Sequence, residues 1–211
     1  MRTPALLLAL LFAPSCVFVV DSDGGPVRLH SWSDDDGPRV RGNGVPGTER
    51  RSLDEVRRIE VRGHFDVRVE VGEAPSVEIT GDSNVLHYVT TERSGDTLEI
   101  GLERGSYDLD EPLVVRVGTS ALDHVALSGS GDVRVSGLAG GDLRVRLSGS
   151  GDVRLAGHVD TLEVRLSGSG DVDASDLVGE RASVRISGSG DVTLGDVPAR
   201  DVEISGSGSV R

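Results

Sequence analysis

A phrase that recurs along the second half of the chain places one aspartate after two glycines. It reads Leu-Ser-Gly-Ser-Gly-Asp-Val at 127–133 and returns, with small changes, at 147–153, 166–172, 186–192 and 204–210. Copies that stack would align four carboxylates, those of Asp132, Asp152, Asp171 and Asp191. Carboxylates one strand spacing apart, about 4.8 Å, repel each other by about 0.9 kcal/mol in water. Such a column therefore needs cations or hydrogen-bond donors beside it.

Two interpretations of this aspartate column stay open. A ladder of Ca²⁺ ions would neutralise the carboxylates, and Gly-Ser-Gly-Asp is similar to part of the calcium-binding nonapeptide repeats. Those repeats carry their phrase twice per coil, whereas this phrase occurs once. The favoured interpretation is that each aspartate bonds the backbone of its own turn and faces water. No cofactor or metal site is therefore predicted, and calcium is kept as the alternative.

A second column with binding chemistry consists of arginines that directly precede the phrase. These are Arg146, Arg165 and Arg185. Stacked guanidinium groups present paired donors that fit sulfate, phosphate or carboxylate groups of a glycan. The favoured alternative is a surface row that acids such as Glu163 and Asp173 balance.

The serines of the phrase form two further columns, which we expect to be hydroxyl ladders between coils. A catalytic serine needs a base beside it, and the histidines show no such pairing with the repeated serines. No spacing is typical of metal ligands. The sequence therefore predicts no catalytic residues and no enzyme. A polysaccharide-acting enzyme is kept as a remote alternative.

Short β-strands must position these columns. In residues 143–155 apolar residues take the odd positions and polar residues the even ones, which is typical of strands. The steps between copies are 20, 19, 20 and 18 residues, and units this small must stack to bury an apolar side. Connections between parallel strands are nearly always right-handed. The prediction is an all-β fold, a right-handed parallel β-helix with coils of about 18–20 residues.

Residues 49–120 are also rich in predicted strands but less regular than the repeats at 122–211. Val61–Val69 aligns with Leu147–Leu155, and Phe65 takes the place of the second glycine. Terminal repeats of solenoids are often atypical, so this segment is predicted to be a divergent copy whose aromatic ring fills space near one end of the core. Val85–Thr91 and Thr97–Leu102 are predicted to form a hairpin.

The first residues have the composition of an export signal. Residues 1–15 contain Arg2 followed by an apolar run, and Cys16 stands where a bacterial lipoprotein carries its acyl chains. Residues 16–38 are therefore predicted to be an anchor and flexible tether, and 39–211 a single domain. The formal charge is −13 and the chain has no lysine, which argues against binding to nucleic acid or to an anionic membrane surface. Membrane contact is expected through the N-terminal lipid anchor only.

Segments outside the repeats carry a family resemblance. Arg41–Gly44, Ile59–Val67, Ser76–Asp82 and Gly95–Ile100, together with the repeated phrase, resemble the head GIN domain of putative auto-transporter adhesins over roughly 39–211. The resemblance implies a right-handed β-helix-type domain on an exported protein. It brings no catalytic residues to this sequence.

The expected function is a cell-envelope protein whose repeat domain presents a surface for binding or adhesion. A glycan or a cell-surface protein is the expected partner, and the expected location is the outer membrane or cell surface, with the periplasm as the alternative. A structural element that self-associates through its open coil edge is the alternative function.

Overall fold

The repeats form parallel strands that pair in two stacks, which are called ladder A and ladder B below. The computed structural model describes residues 37–197 and 199–211. The predicted signal peptide at 1–15, Cys16, and all but the last two residues of the predicted tether at 16–38 lie outside the described residues. These features stay predictions.

The described residues form β-strands and one 3-10 turn, so the all-β class predicted from the sequence is confirmed. The strands before the repeats are β1 (Arg39–Arg41), β2 (Pro46–Ser52), β3 (Arg58–Gly63), β4 (Asp66–Val71), β5 (Ser76–Asp82), β6 (Val89–Ser94), β7 (Thr97–Leu102), β8 (Ser106–Asp108) and β9 (Val114–Thr119). The strands of the repeats are β10 (His124–Gly129), β11 (Val133–Ala139), β12 (Asp142–Gly149), β13 (Val153–Gly168), β14 (Val172–Gly188), β15 (Val192–Asp196) and β16 (Ala199–Gly206). The 3-10 turn is Leu86–Tyr88.

Fourteen of these strands belong to one strongly curled sheet, an open half-barrel, while β1 and β8 form a separate parallel pair. Within the part of the chain that the structure describes, no helix has the length and apolar character needed to cross a membrane.

Ladder A stacks the strand that begins each copy of the phrase. Its order is β7, β3, β10, β12, the second half of β13, the second half of β14, and β16, and all neighbours are parallel. Val125 pairs with Val145, Val145 with Val164, and Val164 with Val184. All four side chains have 0% exposure. The apolar column predicted from the repeat is therefore confirmed.

Ladder B stacks the strand that follows the aspartate. Its parallel order is β9, β4, β11, the first half of β13, the first half of β14, and β15. Its central column consists of buried valines in direct register: Val115, Val67, Val133, Val153, Val172 and Val192. Val210 continues this column through a single parallel bridge to Val192. The two ladders share β13 and β14, because the first half of each of these strands belongs to ladder B and the second half belongs to ladder A.

The bends inside these strands differ from the prediction. A small residue followed by glycine predicts tight corners between strands at Ser136-Gly137 and Ala156-Gly157, but both pairs lie inside continuous strands, β11 and β13. The pairing of β11 with β13 shifts between Val135 and Leu138, and the φ angles of Gly137 and Gly157 are 77° and 126°. A glycine in this left-handed region bends the strand without ending it.

The first half supplies a divergent copy of the repeat, as predicted. Val61 of β3 pairs with Leu127, and Val67 of β4 pairs with Val133. Phe65, between these strands, is 3% exposed, and a Cβ on Gly63 would lie 2.6 Å from its ring. The predicted hairpin is also present between β6 and β7, although its first strand begins at Val89, after the 3-10 turn.

Antiparallel strands flank both ladders at the ends formed by the first half of the chain. In ladder A, β6 pairs with the terminal β7, and in ladder B, β5 pairs with the terminal β9 and with β2.

Asp82, at the end of β5, holds together the loops near these antiparallel strands. Its carboxylate is 1% exposed and accepts hydrogen bonds from the backbone N–H groups of Gly44, Asp110 and Glu111 at 2.7, 3.0 and 3.0 Å. These bonds, that of Glu111 first, lower the pKa of Asp82 against the opposing effect of burial.

The glycines of the phrase set how closely the layers approach. Gly149 has a φ of 145°, and a Cβ there would overlap the carbonyl oxygen of Gly129 in the adjacent layer. Gly151 has the same relation to Gly131. The alternation of the sequence gives these glycines the same phase as the buried apolar residues, but a Cβ at either position would meet the backbone of the neighbouring layer. Glycine is required because no other residue allows both this φ and this approach.

The substitution Gly149→Ala is therefore expected to destabilise the fold strongly. Strained φ and overlap with the backbone together should cost on the order of 3 kcal/mol of unfolding free energy. Chemical denaturation of the variant measures the loss, and Ser150→Ala, at the exposed neighbouring position, is the matched control. Equal stability of the two variants would contradict this account of the glycine columns.

Candidate functional site

The repeated aspartates form a ladder of hydrogen bonds between layers. The backbone N–H of Asp152 donates to Oδ1 of Asp132 at 3.2 Å, that of Asp171 to Asp152 at 3.1 Å, and that of Asp191 to Asp171 at 2.8 Å. Asp66, in the divergent copy, accepts from the N–H of Asp132 at 3.4 Å. Each carboxylate thus bonds the next layer rather than its own turn, which corrects the favoured sequence interpretation.

Two arginines supply positive charge to the other oxygen of this aspartate ladder. Arg134 lies 3.5 Å from Oδ2 of Asp66 and 3.3 Å from Oδ2 of Asp132. Arg154 lies 3.6 Å from Oδ2 of Asp132 and 3.7 Å from Oδ2 of Asp152. Each guanidinium therefore bridges the carboxylates of two layers and reduces their mutual repulsion. Among the described residues, no group of three or more His, Cys, Asp or Glu side chains could hold a metal ion.

The last aspartate of the ladder has the densest set of donors. Oδ1 of Asp191 accepts from the backbone N–H of Ser209 at 2.8 Å and from its hydroxyl at 2.9 Å, and Oδ2 lies 3.0 Å from Arg211. The pKa of Asp191 is lowered, chiefly by the Ser209 hydroxyl and then by the Ser209 N–H. In the fifth copy of the phrase, Ser209 thus stands where the other copies have aspartate, and it donates hydrogen bonds to Asp191 of the fourth copy.

The arginines named from the sequence do stack on ladder A. Arg146 pairs in register with Arg165, and Arg165 with Arg185. Two of the three already have acidic partners, because Arg165 lies 2.7 Å from Glu163 and Arg185 lies 3.2 Å from Glu203. Asp173, the other acid expected to balance this row, lies on ladder B instead, in register with Arg154.

Arg146 lies beside a buried histidine on the same ladder. His124 is 4% exposed and stands in register between Arg58 and Arg144. Burial lowers the pKa of His124, and the charges of Arg58 and Arg146 lower it further. The imidazole is therefore neutral at pH 7 and adds no charge to this face.

Ladder B carries a longer row of arginines that the sequence analysis missed. Arg116 pairs with Arg68, Arg68 with Arg134, and Arg134 with Arg154. These four residues are called the arginine row below. The available signal was the Asp-Val-Arg motif that Val61–Val69 shares with the repeats, which places Arg68 in this column.

A groove of about 360 Å³ runs beside the arginine row. Arg68, Arg134 and Arg154 line it together with Ser136 and three acids, Glu70, Asp173 and Asp176. Asp173 accepts a hydrogen bond from the Ser175 hydroxyl at 2.6 Å, which is the first cause of its lowered pKa. The groove is therefore lined by equal numbers of arginines and acids.

The serine columns are in register but do not form the expected hydroxyl ladders. Ser128, Ser148, Ser167 and Ser187 pair layer by layer and are exposed. Within residues 37–197 and 199–211, the hydrogen bonds between these layers involve the backbone and the aspartates, and none joins two of these hydroxyls.

Comparison with known proteins defines the class of this fold. Residues 56–211 match the family described as putative auto-transporter adhesin, head GIN domain. The chain belongs to this family, as the sequence resemblance predicted. No curated protein matches the sequence.

Three solved structures, all described as putative adhesins, have a similar fold. A putative adhesin from Bacteroides fragilis is 16% identical with a TM-score of 0.61, and the match covers 81% of this chain and 98% of that one. A putative adhesin from Parabacteroides distasonis is 22% identical with a TM-score of 0.63, covering 82% and 84%. One from Parabacteroides merdae is 19% identical with a TM-score of 0.55, covering 82% and 98%. At these identities the likeness shows the fold alone.

The aspartate ladder predicts a specific pH dependence. A carboxylate whose pKa is lower in the folded state than its unfolded value near 3.9 stabilises the fold above that value, and this contribution is lost as the pH falls through the folded pKa. Asp191→Asn should therefore lower the melting temperature at pH 7, and the difference from wild type should shrink below about pH 4. Thermal melts across this range measure it. Asp201→Asn makes the same charge change at an exposed position, and an equal effect of both variants would contradict the ladder's role.

Proposed function

We propose that this protein is an exported, lipid-anchored protein of the cell envelope whose GIN domain presents a binding surface and performs no catalysis. The leader at 1–15 and Cys16 support export and anchoring. Membership of a family described as adhesin-like supports attachment at a surface. The family and the solved structures of similar fold are described as putative adhesins, and none of these descriptions is of an enzyme.

One observation carries the binding function: arginine side chains stand in register on two exposed faces of the ladders. Arg134, Arg154, Arg165 and Arg185 are 40–52% exposed. Backbone ladders fix the spacing of these side chains before any ligand arrives, so less order has to be imposed on binding. A stiff scaffold with repeated cationic groups suits a repeating anionic ligand at a cell surface.

The finer fold that we infer is the right-handed parallel β-helix. The parallel ladders, with steps of 18–20 residues between equivalent residues, support it. The right-handed sense follows from the general handedness of parallel connections. For location we propose the outer membrane or cell surface, supported by Val17 after Cys16, with the periplasm as the alternative.

Anchoring and binding can be separated with one substitution. Cells that express the wild-type chain should retain it in the membrane fraction and should adhere to a panel of glycan-coated and protein-coated surfaces better than cells without it. Cys16→Ser should move the protein to the soluble fraction and abolish the gain in adherence. Cys16→Ser protein that stays with the membrane would refute the lipid anchor, and wild-type cells that adhere to nothing in the panel would refute the binding function.

A second candidate function is self-association through the last layer of ladder A. Val202 and Ile204 of β16 are each 42% exposed, whereas their neighbours in register, Val184 and Ile186, are 0% and 2% exposed. The outer edge of β16 has no partner strand among the described residues. Unpaired backbone groups beside exposed apolar side chains can pair with the same edge of a second copy.

Charge on that edge should prevent such pairing. Val202→Lys is expected to convert any dimer to monomer in sedimentation experiments at high concentration, with little change in stability because the side chain is half exposed. Val45→Lys is the matched control, since Val45 is 54% exposed outside the two ladders. A wild-type chain that sediments only as a monomer would refute this second candidate.

A further inference from the structure

We propose that the arginine row, Arg116, Arg68, Arg134 and Arg154, is the binding site for a linear acidic polysaccharide. The ligand would lie along the stacking direction of ladder B, with its carboxylate or sulfate groups on successive guanidinium groups. This inference rests on the proposed binding function and names its site and ligand class.

The geometry of the arginine row fits a repeating ligand. Register neighbours in a sheet are about 4.8 Å apart, so four consecutive arginines span about 14 Å. A sugar residue advances a linear polysaccharide by a distance similar to one strand spacing. Guanidinium groups bind carboxylates and sulfates through paired hydrogen bonds, which gives each contact a preferred orientation.

The charges of the row are only partly neutralised. Arg68 makes no ion pair with any described residue, although it stands between Arg116 and Arg134. Arg116 has Glu78 at 3.4 Å, and the contacts of Arg134 and Arg154 with aspartates are 3.3–3.7 Å long. The aspartates concerned also accept backbone N–H groups. An anion above the row would reduce the repulsion between stacked guanidinium groups.

The row on ladder A is the weaker candidate because its ion pairs are shorter than those of the arginine row. Arg165 is held at 2.7 Å by Glu163, which also contacts Arg144 at 3.3 Å, and Arg185 is held at 3.2 Å by Glu203. Of its three arginines, only Arg146 makes no ion pair with a described residue. A ligand would have to displace these acids before it could bind the whole row.

The groove defines where the ligand begins and ends. It provides about 360 Å³ beside Arg68, Arg134 and Arg154, with the hydroxyl-bearing Ser136 on its wall. Asp173 takes the next position of the column after Arg154 and would repel a further acidic group. Glu70 and Asp176 also line the groove and would repel acidic groups that lie away from the guanidinium groups. The groove therefore accommodates about three acidic groups, beside Arg68, Arg134 and Arg154, and Arg116 continues the row outside it.

The overall charge of the chain limits the class of polyanion. At a formal charge of −13, the protein as a whole does not attract polyanions, and salt screens charges that are farther apart than a Debye length of about 8 Å. Binding then depends on close, regularly spaced contacts rather than on general attraction. Nucleic acid, whose non-specific binding depends on general attraction to a basic surface, is disfavoured by the same argument.

The test compares Arg68 on ladder B with Arg146 on ladder A, two exposed arginines that make no ion pair within residues 37–197 and 199–211. Binding of the purified chain to polygalacturonate and to dextran sulfate is measured by calorimetry, with neutral dextran and single-stranded DNA as competitors. The two acidic polymers distinguish carboxylate from sulfate as the preferred group. Thermal melts check that each variant is folded.

Wild type should bind at least one acidic polymer and not neutral dextran. Arg68→Ala should weaken binding about five- to tenfold and Arg68→Glu further, whereas Arg146→Ala should bind as wild type does. Equal binding of all variants, or a loss in Arg146→Ala alone, would overturn the site. Stronger binding of DNA that depends on Arg68 would overturn the ligand class. If wild type binds neither acidic polymer, the inference fails, and the adherence experiment with cells then shows whether the broader binding function fails with it.

Discussion

The close approach of successive backbone layers at the two glycines of the phrase is the constraint on which the rest of the structure depends. A Cβ on Gly149 or Gly151 would overlap the carbonyl of the layer beside it. Because glycine has no Cβ, each layer can pack directly against the preceding one. Equivalent residues then pair in register along the repeats, where valine meets valine from layer to layer. The same register brings each aspartate within reach of the next layer's amide and stacks the arginines into rows.

Stacking of identical units also creates an electrostatic difficulty that the structure resolves locally. A column of like charges is unfavourable in any parallel in-register ladder. In the aspartate ladder, one carboxylate oxygen accepts a backbone N–H of the next layer, and the other oxygen of Asp132 lies near two arginines. Both contacts reduce the repulsion between the carboxylates. The positive charge of the arginine row is neutralised less completely, because Arg68 lacks an acidic partner among the described residues. That imbalance distinguishes a surface open to an anionic ligand from one already paired within the chain.

Much of the fold could be predicted because the repeat encodes it directly. The period gives the register, the alternation gives the buried columns, and the match of Val61–Val69 to the repeats places Phe65 and Arg68 in the stack. The hydrogen bond between Asp152 and the layer beside it could not be predicted. The sequence does not distinguish a donor amide in the aspartate's own turn from one in the next layer. Arg116 joins the arginine row only because β9 packs between β4 and the antiparallel β5, and no repeat marks that strand.

The central claim is that equivalent residues of successive copies are direct neighbours along one axis. Spin labels on the exposed serine column test it, with one label at Ser128 and the second at Ser148, Ser167, Ser187 or Ser205 in a Cys16→Ser background. The separation measured by electron paramagnetic resonance should rise by about 4.8 Å with each step, with a narrow distribution for every pair. Distances that do not increase along this series, or that are broad throughout, would contradict the stacked ladders.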